Sequence, residues 1–252
     1  MRRLRILLFS LVMTAAVLAA RYLVHDVLHV STNLAWDDIQ VVVTGASLII
    51  GLMLVGVLRD YGDAGQLPGS VASGLSAFDH LLRNAGASVG KPSTAYIAAV
   101  EALIDAITEW LYGRAPDAQI RAQLTAVRRM LLDMHTAGIS EGYVIRAHVE
   151  LSQIDASVAR MMSIRNSPYL QSGYTLMYVL TTIVLGLLLV VEFSNPGLAP
   201  WLMSGSLTLI YAYLILLIRD LDNPFAYGRR SGVAEVDLAP LNAVREELHS
   251  RG

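Results

Sequence analysis

Residues 41–57 read VVVTGASLIIGLMLVGV, a stretch without a single charged side chain. With its flanks it forms an apolar segment, Ile39–Leu58, that is long enough to cross the hydrocarbon core of a bilayer as a helix. Three further segments have the same character, and they lie at Ile6–Val24, Tyr174–Val191 and Ala199–Ile218. The four segments predict an all-α integral membrane protein, with four transmembrane helices in two pairs and the lipid bilayer as its surroundings.

The composition excludes several classes of function. Of the 252 residues, 54% are hydrophobic and 16% are charged, and a mean hydropathy of +0.50 is high for a soluble domain. A formal net charge of −2 offers no global basic field, so no nucleic-acid partner is expected. The chain contains no cysteine, which excludes disulfides, thiol catalysis and zinc–thiolate sites.

The arginines predict the topology. The connections Tyr22–Asp38 and Glu192–Pro200 contain no lysine or arginine, whereas the N-terminus, the middle region and the tail hold nearly all of them. The positive-inside rule therefore predicts that both termini and the middle region are cytoplasmic, in a multi-pass protein of the bacterial cytoplasmic membrane. The predicted domains are the first helix pair at 1–62, the cytoplasmic helices at 63–168, the second pair at 169–222 and a tail at 223–252.

Arg21 is the exception to this alternation. The N-terminal stretch, with its basic start and small residues near Ala19, also resembles a secretory signal peptide, and Arg21 shortens its uncharged run. The alternative is an uncleaved helix in which Arg21 snorkels to the outer interface. We expect the uncleaved helix, because the apolar sequence continues beyond Arg21.

The middle region has the apolar periodicity of amphipathic helices packed on one another. The predicted helices are Gly69–Asn84, Thr94–Tyr112, Pro116–Thr136 and Ser140–Asn166, with turn signals such as Asn84-Ala-Gly between them. Their apolar stripes include Val100 to Leu111 and Ile120 to Met134. No nucleophile–base set or phosphate-binding loop is present, so we expect neither an enzyme nor a resident cofactor or metal.

Two polar clusters leave alternatives open. His25 and His29 have the i, i+4 spacing of a zinc-binding helix, but they equally suit a polar helix end. Asp220, Asp222 and Asn223 close the fourth segment, where they could coordinate a hard cation or anchor the tail by hydrogen bonds. The second segment poses a similar choice, because its small residues permit close helix packing and also suit an apolar constriction.

Two blocks of sequence resemble the bestrophin-like membrane proteins. The first is GLMLVGVLRDYGDAGQLPG at 51–69, and the second is LDNPF at 221–225 followed by VDLAPL at 236–241. The residues that carry the resemblance at the two inner helix ends are Asp60, Tyr61, Pro68, Asp222, Asn223, Pro224 and Phe225. The plan of paired helices, helical insert, paired helices and short helical tail is similar as well.

The resemblance implies a homo-oligomer, a pentamer by analogy, around a central pore for small inorganic ions, and in true bestrophins these are anions. It further implies that the second helix lines the pore. Either the face of Ile50, Leu54 and Leu58 or the face of Thr44, Ser47, Gly51 and Val55 would then surround the axis. The stretch AYGRRS after Phe225 lacks the acidic residues that bind calcium in eukaryotic members, so calcium activation is not expected.

A second hypothesis is a non-conducting membrane scaffold. In it, the cytoplasmic helices would dock a partner through Arg128 or Arg129, and the second helix would seal a contact between subunits.

Overall fold

The computed structural model describes residues 3–29, 32, 34–90, 94–166, 171–193, 197–222, 224, 225, 227 and 235–251. Across these residues the chain forms helices α1 (Arg3–Tyr22), α2 (Trp36–Ser88), α3 (Thr94–Leu111), α4 (Asp117–Thr136), α5 (Glu141–Asn166), α6 (Gln171–Val190), α7 (Ala199–Leu221) and α8 (Ala239–Arg251). A π-helical turn, Leu23–Val27, follows α1. The all-α class predicted from the sequence is confirmed.

Four stretches are long and apolar enough to cross a membrane: Ile6–Val27, Trp36–Ser88, Gly173–Val190 and Ala199–Leu221. Their contacts divide the chain into two compact units. The membrane unit comprises Met1–Tyr61 and Pro168–Asp222, and the insert unit comprises Gly62–Ser167 and Asn223–Gly252. The protein is therefore an integral membrane protein with a helical insert.

The second helix is a single element of 53 residues, which corresponds to roughly 80 Å of helix. The sequence predicted a new helix at Gly69 and a turn at Asn84, but α2 continues through Pro68 to Ser88. Proline removes one backbone hydrogen bond from a helix interior. Here Pro68 itself is buried together with Val71 and Leu75, and this packing offsets the lost bond.

In the membrane unit, α1 packs along α7 through small and hydroxyl-bearing residues. Ser10 and Thr14 of α1 and Ser204 and Thr208 of α7 are all buried. A Cβ added at Gly205 would lie 3.5 Å from a methyl group of Leu18. Small residues at such contacts let the backbones of membrane helices approach closely.

Arg21 joins α1 to the end of α6. Its guanidinium donates to the carbonyl of Leu188 and, at 2.9 Å, to that of Val191. It also lies 5.2 Å from the centre of the Phe193 ring, which in turn stacks on Trp36 at 5.6 Å. The Arg21 side chain is only 4% exposed and donates to carbonyls that the end of α6 leaves without intrahelical partners. Its snorkelling to the outer interface stays a prediction.

In the insert unit, the predicted apolar stripes of α3 and α4 form a core with α5 and the second half of α2. Trp110 connects three helices. Its indole nitrogen donates to Asp117 at 2.7 Å, its carbonyl accepts from Arg165 at 2.6 Å, and the guanidinium of Arg165 lies 4.9 Å from its ring centre. The tail helix α8 contacts α3 through Arg245, which donates to Asp105 at 2.6 Å.

We predict that Arg21→Met lowers the stability of the membrane unit. The substitution keeps an unbranched side chain but leaves two buried carbonyls without a donor, at a cost of about 1–3 kcal/mol for each. Thermal unfolding of the detergent-solubilised protein should show a lower Tm for Arg21→Met, whereas Arg129→Met, at an exposed position of α4, should leave the Tm unchanged. Equal Tm values for the two variants would contradict the helix-capping role.

Candidate functional site

The candidate site is the exposed face of α2 within the membrane unit. Val41, Leu48, Leu52 and Val55 recur at helical spacing along this face, and each is at least 64% exposed. The opposite face packs inside the unit, where Val43, Ala46, Ile50 and Val57 are buried. One side of this apolar helix is thus packed within the protomer, and the other side, which we call the open face, is exposed.

The two sets of predicted pore-lining residues differ in burial. Ile50 is fully buried inside the protomer, Leu54 is half-buried and Leu58 is exposed. In the other set, Thr44, Ser47 and Val55 are exposed and Gly51 is half-buried. Of the two faces that the sequence left open, the face of Thr44, Ser47, Gly51 and Val55 is the one that a single protomer presents outward.

The hydroxyl groups on this face are bonded to the helix itself. Thr44 donates to the carbonyl of Gln40 at 2.7 Å, and Ser47 donates to the carbonyl of Val43 at 2.8 Å. The hydroxyl of Tyr211, from α7, lies 2.7 Å from that of Ser47 and donates to the same Val43 carbonyl at 2.9 Å. With these hydrogens donated to backbone carbonyls, the hydroxyl groups of this face offer acceptor oxygens and no free donor.

Five glycines of α2 are not explained by packing within the protomer, whereas a Cβ added at Gly74 would lie 2.9 Å from Ile154. A Cβ added at Gly45 or Gly51 would meet no atom within 4 Å. The same is true of Gly62, Gly65 and Gly69 in the insert unit. Close packing inside one chain therefore does not require these glycines, and any close approach that they permit must involve something outside the protomer.

At the inner ends of the helices, the structure places six of the seven residues that carry the family resemblance. Asp60, Tyr61 and Asp222 are half-buried in the membrane unit, where Asp222 accepts a hydrogen bond from the Tyr174 hydroxyl. Pro68, Pro224 and Phe225 are buried in the insert unit, and Asn223 lies outside the described residues. This contact joins the end of α7 to the start of α6, and the choice between tail anchoring and cation coordination stays a prediction.

Pro224 and Phe225 begin a short stretch that fastens the tail within the insert unit. The Pro224 carbonyl accepts from the Val236 backbone at 3.0 Å, and the Tyr227 hydroxyl donates to the Val236 carbonyl at 2.6 Å. The Tyr227 ring packs edge-on against Tyr112 at 5.8 Å. Phe225 itself is 1% exposed, so this motif residue has a packing role.

The histidine pair does not have the geometry of a zinc-binding α-helix. His25 lies in the π-helical turn and His29 follows it with a left-handed φ of 49°, so the α-helical i, i+4 spacing is absent. Within the described part of the chain, no group of three or more histidine, aspartate or glutamate side chains is placed to hold a metal ion.

The two arginines of the scaffold hypothesis have different surroundings. Arg128 of α4 is paired with Asp155 of α5, and Arg129 is exposed. Arg128 thus contributes to the packing of two helices of the insert unit.

Comparison with solved structures identifies the fold. A variant of a bacterial bestrophin homolog from Klebsiella pneumoniae matches with a TM-score of 0.73 and 13% identity, over 99% of this chain and 98% of that one. The same homolog solved by Zn-SAD phasing matches with a TM-score of 0.72 and 14% identity, over 98% and 97%. This is the fold of the bestrophin homologs. The predicted resemblance is confirmed at the level of structure, and this integral membrane protein has a bestrophin-like fold.

Sequence comparison alone does not reach this result, since no family model and no curated protein matches the chain. The bestrophin-like fold is therefore recognised from the layout and packing of the helices, because the sequence identity is low. Arg21 and Tyr211, which position α6 and α2, were not predicted as site residues. Arg21 was nonetheless visible as the one arginine outside the charge alternation, whereas nothing in the sequence distinguished Tyr211 from the other interfacial tyrosines.

We predict that Tyr211→Phe destabilises the membrane unit by about 0.5–1.5 kcal/mol, because the bond to the Val43 carbonyl is lost. Tyr213→Phe, at a position 37% exposed, is the matched control and should be neutral. Unfolding measurements should also show coupling between Tyr211→Phe and Ser47→Ala, because their hydroxyls are adjacent. Purely additive effects of the two substitutions would contradict this arrangement.

Proposed function

We propose that the protein is a homo-oligomeric ion channel of the bacterial cytoplasmic membrane. Its constriction is formed by the exposed face of α2 around Thr44, Ser47, Gly51 and Val55. Both termini and the insert unit lie in the cytoplasm, as the distribution of arginine favours. The observation that supports the proposal is the outward face of α2, which combines small residues with hydroxyl groups that donate their hydrogens to the helix backbone.

The contrast between α2 and α1 supports this assignment. The exposed face of α1 carries bulky side chains such as Leu8, Phe9 and Val12 together with alanines, but the helix contains no glycine. The open face of α2 instead combines glycines with the exposed side chains of Val41, Leu48, Leu52 and Val55. A Cβ added at Gly45 or Gly51 would meet no atom within 4 Å. Small residues are enriched where membrane helices approach other protein, so α2 is the better candidate for the centre of an assembly.

The chemistry of the face suggests how ions would be controlled. Because Thr44 and Ser47 donate their hydroxyl hydrogens to their own helix, a ring of these residues offers no free O–H donor to an anion. A narrow apolar ring of this kind blocks ions by losing water, and it opens when it widens or becomes wetted. The substrates are small inorganic ions, and the bestrophin-like fold makes anions the first class to test.

The number of subunits is a separate element of the proposal. By analogy with true bestrophins we propose five copies, which the mass of the purified protein in detergent would establish. The scaffold alternative predicts the same or a smaller assembly with no conductance, together with a cytoplasmic protein that binds the insert unit.

We predict that Val55→Ser raises the unitary conductance or open probability in planar bilayers several-fold. Removing apolar surface lowers the cost of wetting the constriction by about 0.8 kcal/mol per methylene equivalent, and 1.4 kcal/mol corresponds to a factor of ten. Val12→Ser on α1 is the control, because Val12 is 62% exposed and Val55 is 64% exposed.

The control variant should conduct as the wild type does. Silent bilayers from wild-type protein of confirmed oligomeric mass would overturn the channel proposal. Equal changes from the two substitutions would overturn the assignment of the constriction to α2.

A further inference from the structure

The open face of α2 carries opposite charges at its two ends. After Val41, the first ionisable residue of this helix is Arg59. Arg59 follows Val55 by four residues and Leu48 by eleven, so the three side chains lie on one side of the helix. At the other end, Asp37 precedes Val41 by four residues and lies on the same side. An uncharged stretch is therefore bounded by a guanidinium at one end and by a carboxylate at the other.

Arg59 has no role in the packing of a single protomer. Within the described part of the chain, its side chain is exposed and forms no hydrogen bond or ion pair. Arg21, in the same unit, is instead buried and donates to two carbonyls. The neighbouring Asp60 is half-buried and lies about 100° around the helix from Arg59, so it is not on the open face. The charge of Arg59 is therefore presented to whatever the open face surrounds.

The other charges along this side of α2 lie farther from the proposed constriction. Arg59 follows Val55 by four residues, or about 6 Å along the helix axis. Asp63 follows Val55 by eight residues, about 12 Å, and Asp37 precedes Thr44 by seven residues, about 11 Å. The Debye length in physiological salt is about 8 Å, so both carboxylates are largely screened from an ion at the edge of the constriction. The charge of Arg59 dominates there.

We propose that Arg59 determines the charge selectivity of the pore. The inference rests on the channel of the proposed function, and it adds to its constriction a ring of guanidinium groups that admits small inorganic anions and repels cations. In a cyclic assembly with α2 around the axis, each subunit contributes one Arg59 to this ring. Because the hydroxyl groups of Thr44 and Ser47 offer no free donor, the charge of Arg59 is what distinguishes an anion from a cation on this face.

The first test measures the permeability ratio of chloride to potassium, from the reversal potential of single channels in a potassium chloride gradient. Wild-type protein and Arg59→Lys, which keeps the charge, should both favour chloride. Arg59→Gln should lower the ratio by about tenfold, because a passage lined by one sign of charge concentrates the opposite ion by at least that factor.

Arg219→Gln is the matched control. Arg219 is an exposed arginine in the last turn of α7. Helix α7 contacts the packed side of α2, where Tyr211 donates to the carbonyl of the buried Val43. Arg219 therefore lies on a helix behind α2 as seen from the axis, and its neutralisation should leave the permeability ratio unchanged.

The second test changes the charge after the channel has assembled, so its result does not depend on the folding of a variant without the arginine charge. The chain has no cysteine, and Arg59→Cys introduces a single thiol. A methanethiosulfonate reagent that carries an ammonium group should restore the preference of the Arg59→Cys channel for chloride. A reagent that carries a sulfonate should give a preference for potassium, and Arg219→Cys should keep the wild-type ratio with both reagents.

The two proposals fail in different ways. A conducting channel whose permeability ratio is the same in the wild type, in Arg59→Gln and in both modified forms of Arg59→Cys overturns the role of Arg59 and leaves the channel in place. Arg59 bound to anionic lipid headgroups would give that result. Equal changes from Arg59→Gln and Arg219→Gln, or a wild-type channel that prefers potassium, would also overturn this role alone. Wild-type protein of confirmed oligomeric mass that is silent in bilayers overturns both proposals.

Discussion

Inside a bilayer, every backbone amide and carbonyl must find its partner within the protein, and most of this structure follows from that requirement. It explains why the spanning stretches are helical. It also explains why a helix that ends near the membrane boundary needs a donor for its last carbonyls. Arg21 supplies that donor for α6 through its bonds to Leu188 and Val191. A buried guanidinium is costly unless each such bond is made, so this contact also determines how α1 is placed against α6.

The second helix, α2, satisfies its backbone amides and carbonyls both in the membrane unit and in the insert unit. Its backbone bonds continue through Pro68, while its side chains change from aliphatic residues to Gln66, Ser70 and Ser73. In each unit one side of the helix is packed and the other is free. The free side is apolar where the helix crosses the membrane and polar in the insert unit.

The sequence predicted those features that depend on local periodicity. The four spans, the helices of the insert and the stripes around Ile104 and Val127 all follow from the spacing of apolar residues. A continuation of the second span into the insert was expected from the sequence, but its unbroken passage through Pro68 was not, because proline is a local signal for a break and the packing that overrides it is tertiary. The open face of α2 could not be predicted either, since Ile50 and Val55 are similar in hydropathy and only the packing of the membrane unit determines that Ile50 is buried and Val55 exposed. Leu132, Ile145 and Val149 resemble core residues of amphipathic helices, and their exposure depends on the tertiary packing of the insert unit.

The bond between Arg21 and α6 has a consequence for how the protein is made. Its two ends are separated by 167 residues in the chain. At ordinary rates of synthesis, about 5–20 residues per second, α1 leaves the ribosome on the order of ten to thirty seconds before α6 does. During that interval a charged side chain waits near the membrane without its acceptors. Biogenesis of the membrane unit is therefore a two-stage process, in which the first helix pair is held in a provisional state until translation of the second pair completes it.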